Sequence, residues 1–219
     1  MAYQPKDAFY RKAKSEGYRS RAAYKLLELN RRFRLLKPGD RVVDLGAAPG
    51  GWVQVAARLA GPEGKVVGVD LQPIEPFKDK NIALLQADIT SEAGEMEITA
   101  TLGSKADCIL SDLSPRLTGI RDADVSRSLE LCRSALRLAC RLLRPGGHFL
   151  VKTFVGEELR VYTEELGKRF RSVERTRPEA TRRGSSEIYL CAKGFREGNL
   201  PRHGVEHEDS AGQNEGQQL

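Results

Sequence analysis

A chain of 219 residues that is 40% hydrophobic and 30% charged has the size and apolar content of one α/β domain with appendages, and excludes a collagen-like or wholly disordered polypeptide. No apolar run approaches the ~20 residues that span a bilayer. The basic start lacks the apolar stretch of a secretory signal, and Asp7 and Glu16 argue against an organellar leader, so the expected location is cytoplasmic. The formal net charge of +6 is unevenly spread: residues 1–40 carry +7 and residues 197–219 carry −4. A fold this basic suits a polyanionic partner, nucleic acid ahead of membrane.

Residues 1–18 interleave Tyr3, Phe9, Tyr10 and Tyr18 with Lys6, Arg11, Lys12 and Lys14 without a regular period. They read as a mobile basic arm ahead of a domain spanning residues 19–196. From Ser20, a candidate N-cap, the spacing of Ala23, Leu26, Leu27, Phe33 and Leu36 predicts a helix ended by Pro38-Gly39. RVVDLG predicts a strand and residues 51–60 a helix broken at Gly61-Pro62; KVVGVD, IALLQAD and ADCILSD then read as three further strands. A long helical pattern over about 124–143 is closed by Arg144-Pro145-Gly146-Gly147. HFLVKTF is the next strand, followed by a helix over about 157–170, a strand near 172–175 and a last strand, SEIYLCA. Residues 197–219, with five acids against one Arg and few large apolar side chains, have the composition of a disordered acidic tail. Short apolar strands alternating with helices specify a doubly wound α/β sandwich, whose ligands sit beyond the carboxyl ends of the strands. Cys108, Cys132, Cys140 and Cys191 lie inside apolar stretches and read as reduced core thiols, and no spacing of Cys or His suggests a metal site.

The sharpest local signal is Val42-Val43-Asp44-Leu45-Gly46-Ala47-Ala48-Pro49-Gly50-Gly51-Trp52. A strand running through a glycine-rich turn into a helix lets a ligand approach the backbone and meet helix N–H groups. A dinucleotide-binding turn would place its second glycine where Ala48 stands, which weighs against a nicotinamide-dependent oxidoreductase. Asp70 ends the next strand about 20 residues on, where an acid can accept hydrogen bonds from a ribose diol. Asp88 ends the third strand, in reach of an adenine amine, and Asp112 ends the fourth. A lone acid at such a place is usually a loop cap; three at successive strand ends beside a glycine turn describe a binding cleft.

This constellation resembles the class I methyltransferases, and D-L-G-A-A-P-G-G-W is similar to the turn of the FtsJ/RlmE family of ribose 2′-O-methyltransferases. Four other motifs carry the resemblance in order: Ser20-Arg21-Ala22-Ala23-Tyr24-Lys25-Leu26, Ser111-Asp112-Leu113-Ser114-Pro115, Val151-Lys152-Thr153-Phe154 and Ser185-Ser186-Glu187-Ile188-Tyr189. It covers about residues 7–195 and implies a mostly parallel seven-stranded sheet. It also implies S-adenosylmethionine as cofactor, held by Gly46, Gly50, Trp52, Asp70, Asp88 and Asp112, and a catalytic tetrad of Lys25, Asp112, Lys152 and Glu187. The chemistry agrees: in-line methyl transfer to a hydroxyl requires alignment and the removal of one proton. Burial and Lys25 would push the Lys152 amine towards neutrality, whereas Asp112 and Glu187 would hold it charged. The resemblance further implies RNA as substrate, first a uridine of 23S rRNA in the large ribosomal subunit, acted on by a monomer with neither a membrane nor an obligate protein partner. A tRNA anticodon loop as the target, or a non-catalytic rRNA-binding assembly factor, are the alternatives.

Overall fold

β-Branched runs bounded by glycine turns place strands wherever the sequence puts Val and Ile in short blocks. The computed structural model describes residues 8–182 and 184–198. Its elements are α1 (Ala8–Ser15), α2 (Ala22–Phe33), β1 (Arg41–Leu45), α3 (Gly51–Ala60), β2 (Lys65–Asp70), β3 (Ile82–Gln86) and α4 (Glu92–Leu102), followed by β4 (Ala106–Ser111), α5 (Arg121–Leu142), β5 (Leu143–Phe154), α6 (Leu159–Arg169), β6 (Phe170–Thr176) and β7 (Glu187–Phe195). The seven strands lie in the order β3-β2-β1-β4-β5-β7-β6. All pairs from β3 to β5 are parallel, while β7 runs antiparallel to both its neighbours. Strand order reverses between β1 and β4, so the crevice for a ligand opens beyond their carboxyl ends.

Period-2 alternation sends successive strand residues to opposite faces. Val42, Cys108, Leu110, Leu150 and Cys191 pack under α1, α2 and α3. Val43, Ile109, Phe149, Val151 and Leu190 pack under α4, α5 and α6. Each fully buried Leu or Ile, Leu26 and Ile109 among them, contributes about 1.5–3 kcal/mol by leaving water. The four cysteines are free and buried, and no described helix is long and apolar enough to cross a membrane.

The stretch expected as a mobile arm is structured from Ala8 onward. Helix α1 buries Ala13, and Tyr18 is buried behind it. Phe9 and Tyr18 pack their rings on Tyr24 at centroid separations of 5.7 and 5.6 Å, while the Tyr24 hydroxyl donates to Glu16 at 2.9 Å. Phe9 and Tyr18 are thereby spent on this internal contact, while Tyr10 is exposed; Tyr3 and Lys6 lie outside the described residues, as does 199–219 of the expected tail. Ser20 is not a side-chain cap: α2 starts at Ala22 with Arg21 at its N-cap, and the Ser20 hydroxyl packs on Gly51, where a Cβ would come within 2.1 Å of it. Residues 144–147 do not end an element but form an irregularity inside β5, opposite a register shift between Ala106 and Cys108. Helix α4 is an addition to the sequence reading, capped by the Ser91 hydroxyl, which accepts from Gly94 N, and by Gly103 at φ 76°.

Candidate active site

At the reversal point the chain leaves β1 through Gly46 (φ 79°), where a Cβ would meet Leu113 at 3.0 Å. This turn and the ends of β2, β3 and β4 enclose a cleft of about 510 Å³ lined by Gly46, Ala48, Asp70, Asp88, Asp112 and Leu113, among others. Asp70 accepts from the N–H groups of Ala48 at 2.9 Å and Gln72 at 2.8 Å, so it fixes the glycine turn from across the cleft. Asp88 accepts from the backbone and hydroxyl of Thr90 at 2.8 and 2.7 Å, bonds that hold its pKa below the usual carboxylate value.

Gly50 and Trp52 stand apart from this lining. Gly50 (φ 108°) is demanded by packing, since a Cβ there would lie 2.7 Å from the Phe77 ring and 3.1 Å from Arg19 Cδ. Arg19 itself donates to the carbonyls of Glu75 at 2.5 Å and Pro76 at 2.7 Å and covers the Phe77 ring at 3.5 Å. The Trp52 indole is buried between α2 and α3, with Nε1 donating to Ala22 O at 2.7 Å. Its side chain therefore anchors helices.

Beneath the turn lies Asp44, fully buried, with neither carboxyl oxygen partnered by any described residue. Burial, and then the charges of Asp112 and Asp70, push its pKa well above the ordinary value. Asp44 stays behind the turn, held towards its neutral form, while the cleft itself presents the carboxylates of Asp70, Asp88 and Asp112, which favour a cationic ligand. A sulfonium-bearing amino-acid cofactor fits that donor set, with a glycine cradle that close backbone approach requires.

The four expected catalytic residues meet at the rim beside this cleft. Lys152 lies on β5 and Asp112 directly after β4, while antiparallel β7 brings Glu187, its first residue, to the same end, opposite Phe154. Lys25 reaches over from α2. Lys25 and Lys152 are only 8% and 5% exposed, a degree of burial that lysines tolerate when paired. Lys25 Nζ lies 3.1 Å from Glu187 Oε2 and donates to the Tyr189 hydroxyl at 3.2 Å. That hydroxyl donates to Asp112 Oδ1 at 2.8 Å. Lys152 Nζ donates to Asp112 O at 2.8 Å and pairs with Asp112 Oδ1 at 3.2 Å. The result is one polar chain, Glu187–Lys25–Tyr189–Asp112–Lys152.

Tyr189, the centre of that chain, was not assigned a role from the sequence. Its signal was present: it stands two residues after Glu187 and opposite Lys152 in the β5–β7 register, hence on the same face of the sheet. Burial, together with Asp112 and Glu187, raises its pKa well above the phenol value, so it stays a neutral donor. It also links the two lysines through Asp112. Among the described residues no group of His, Cys, Asp and Glu could hold a metal ion.

Comparison with known proteins bears on this arrangement directly. Residues 18–195 match the family model of the FtsJ-like methyltransferases. The chain is 53% identical over 193 residues (88% of this chain, 74% of the relative) to the Ribosomal RNA large subunit methyltransferase E of Methanothrix thermoacetophila. It is 44% identical over 191 residues (87% and 91%) to the protein of the same name from Marinobacter nauticus. A crystal structure from Plasmodium falciparum, provisionally described as a ribosomal RNA methyltransferase, superposes with a TM-score of 0.74 at 30% identity, covering 81% of this chain and 98% of that one. The fold is thus that of the class I methyltransferases. Because the matched span takes in the glycine turn, the cleft acids and every member of the rim cluster, the chain belongs to the FtsJ-like methyltransferase family.

Proposed function

We propose that this protein transfers a methyl group from S-adenosylmethionine to a ribose 2′-hydroxyl of RNA, with a uridine of 23S rRNA in the large ribosomal subunit as its target. The observation that carries the reading is that Asp112 belongs at once to the lining of the cleft and to the buried lysine cluster, so donor and acceptor meet at one side chain. When bound, the cofactor supplies an electrophilic methyl on a sulfonium. Gly46, Ala48, Asp70 and Asp88 hold it at the cleft wall, and Asp44 lies beneath. Lys152, oriented by two oxygens of Asp112, receives the hydroxyl proton in its neutral form as the C–O bond forms and the C–S bond breaks. Lys25, fixed between Glu187 and Tyr189, orients the ribose. Holding the two reacting groups in line supplies much of the rate in such displacements.

The RNA partner rests on the basic excess of the folded part and on the names of the relatives. The test is methyl transfer from labelled S-adenosylmethionine to isolated large subunits, naked rRNA and tRNA, with the product nucleoside identified by mass spectrometry. A 2′-O-methyluridine from rRNA is expected. Label on a base, on tRNA alone or on no RNA would overturn the reading.

A further inference from the structure

The carbon that bears a ribose 2′-hydroxyl is flanked by C1′, which carries the base, and by C3′, which carries a phosphate. A site that presents this hydroxyl to Lys152 must therefore accommodate an apolar ring on one side and an anion on the other. The rim of the lysine cluster has two such sides. Towards α2 it is cationic: Arg21 donates to Ala180 O, Arg182 lies close enough to lower the Arg21 pKa further after burial has done so, and Arg177 donates to Ser185 O at 2.5 Å.

Towards α5 it carries exposed apolar side chains beside Arg116 and Arg121. The segment between β4 and α5 is held by Asp124, which accepts from Thr118 N and Thr118 Oγ, each at 2.8 Å, and from Gly119 N at 3.1 Å. So fixed, the segment presents Leu117 and Ile120 at 62% and 67% exposure. Val155, 40% exposed, directly follows the Phe154–Glu187 pair and donates its N–H to Ser186 O at 3.0 Å. The next residue, Gly156, joins the two segments, since a Cβ there would lie 2.4 Å from Val125 of α5. Of the seven large apolar side chains exposed among the described residues, three thus lie in the two chain segments that follow Asp112 and Lys152. Packing gives no reason to leave them in water; exposed apolar groups gathered at a site mark a binding surface.

We infer that Leu117, Ile120 and Val155 form the platform on which the base of the target nucleotide lies once it is drawn out of its stack, while the Arg21–Arg182 side receives the adjoining phosphate. The inference rests on the RNA reading above and deepens it. Extruded bases are held against apolar or aromatic side chains, and aliphatic wedges serve where bases are unstacked. Contacts of this kind are sequence-tolerant, so the platform grips the base without reading its edge.

The double substitution Leu117→Ser with Ile120→Ser tests it. Both side chains are exposed, so the thermal midpoint should stand at or above that of the parent. Calorimetric affinity for S-adenosylhomocysteine should not change, whereas kcat/KM for naked rRNA should fall about tenfold or more, in line with the loss of one base contact. Leu117→Met with Ile120→Met should restore it. RNA carrying 4-thiouridine at the methylated position should crosslink, on irradiation, within residues 113–125 or at Val155. An unchanged kcat/KM on RNA, a parallel loss of cofactor affinity or a crosslink elsewhere would overturn the inference. So would a defect confined to intact subunits, which would assign the surface to a protein contact. Parent enzyme that methylates no RNA would instead overturn the proposed function.

Discussion

Replacing Asp44 by Asn should stabilise the protein at neutral pH. Asp44 is fully buried, both its oxygens lack partners among the described residues, and Asp112 and Asp70 add repulsion. Its pKa is therefore higher in the folded than in the unfolded chain, where it titrates near the ordinary 3.8. Below that value both states hold the proton and the group is neutral to stability. As pH rises above it the unfolded chain ionises freely and the folded chain does not, so stability is lost at up to about 1.4 kcal/mol per pH unit until the folded group also ionises. Asn keeps the shape and removes the titration. Parent and variant should have similar stability near pH 4, and the variant's advantage should widen towards pH 7, with each kcal/mol raising Tm by about 2–4 °C for a chain of this size. Urea unfolding of both proteins without cofactor, at several pH values from 4.5 to 7.5, measures the difference, in which other titrating groups such as Asp40 cancel. A variant less stable at pH 7.5, or a difference independent of pH, would refute the reasoning.

Lys152→Ala should lower kcat by about 100-fold or more, as removal of a proton acceptor does, while calorimetry with S-adenosylhomocysteine shows unchanged affinity; retention of a tenth of the parent rate would reject the role. Tyr189→Phe leaves the ring but deletes the bond to Asp112 and the acceptor for Lys25. It should reduce kcat with little change in the KM for cofactor, and an unaltered kcat would show that Asp112 and Lys25 need no bridge. Asp70→Ala removes the acceptor for Ala48 N and should weaken cofactor binding by about 1.5–3 kcal/mol, measured by titration, with kcat at saturation largely kept.

Legibility differed with the physical origin of each feature. The strands around Val42-Val43, Val66-Val67 and Phe149–Val151 were readable because a buried parallel strand needs a short continuous apolar block, and the turn at Gly46 because positive φ selects glycine. The four proposed catalytic residues were readable through motif resemblance, and the fold links them, with Tyr189, through hydrogen bonds and ion pairs. Helix α4 escaped because its inward face rests on Ile98 and Leu102 as its only large buried side chains, too sparse a pattern for a helical period. Helix α1 escaped because Phe9 and Tyr18 are held by a ring contact with Tyr24, a tertiary partner that no local period announces. Trp52 looked like a ligand contact from its place in the glycine turn, yet its indole is claimed by Ala22 O across the α2–α3 contact. Tyr189 was quoted within a motif but given no task, since only the β5–β7 register shows that it faces Lys152.

The placement of β7 between β5 and β6 governs when the rim cluster can assemble during synthesis. Until residues 187–195 emerge, β5 and β6 present bare hydrogen-bonding edges to each other. Lys25 lacks both of its side-chain partners, and Asp112 lacks the phenol that orients it. A nascent chain that already carries the glycine turn, the cleft acids and both lysines still lacks the polar chain that joins them. Closing the sheet and completing the rim cluster are a single event, reached only with β7, so under the proposed mechanism a partly made copy does not act on RNA.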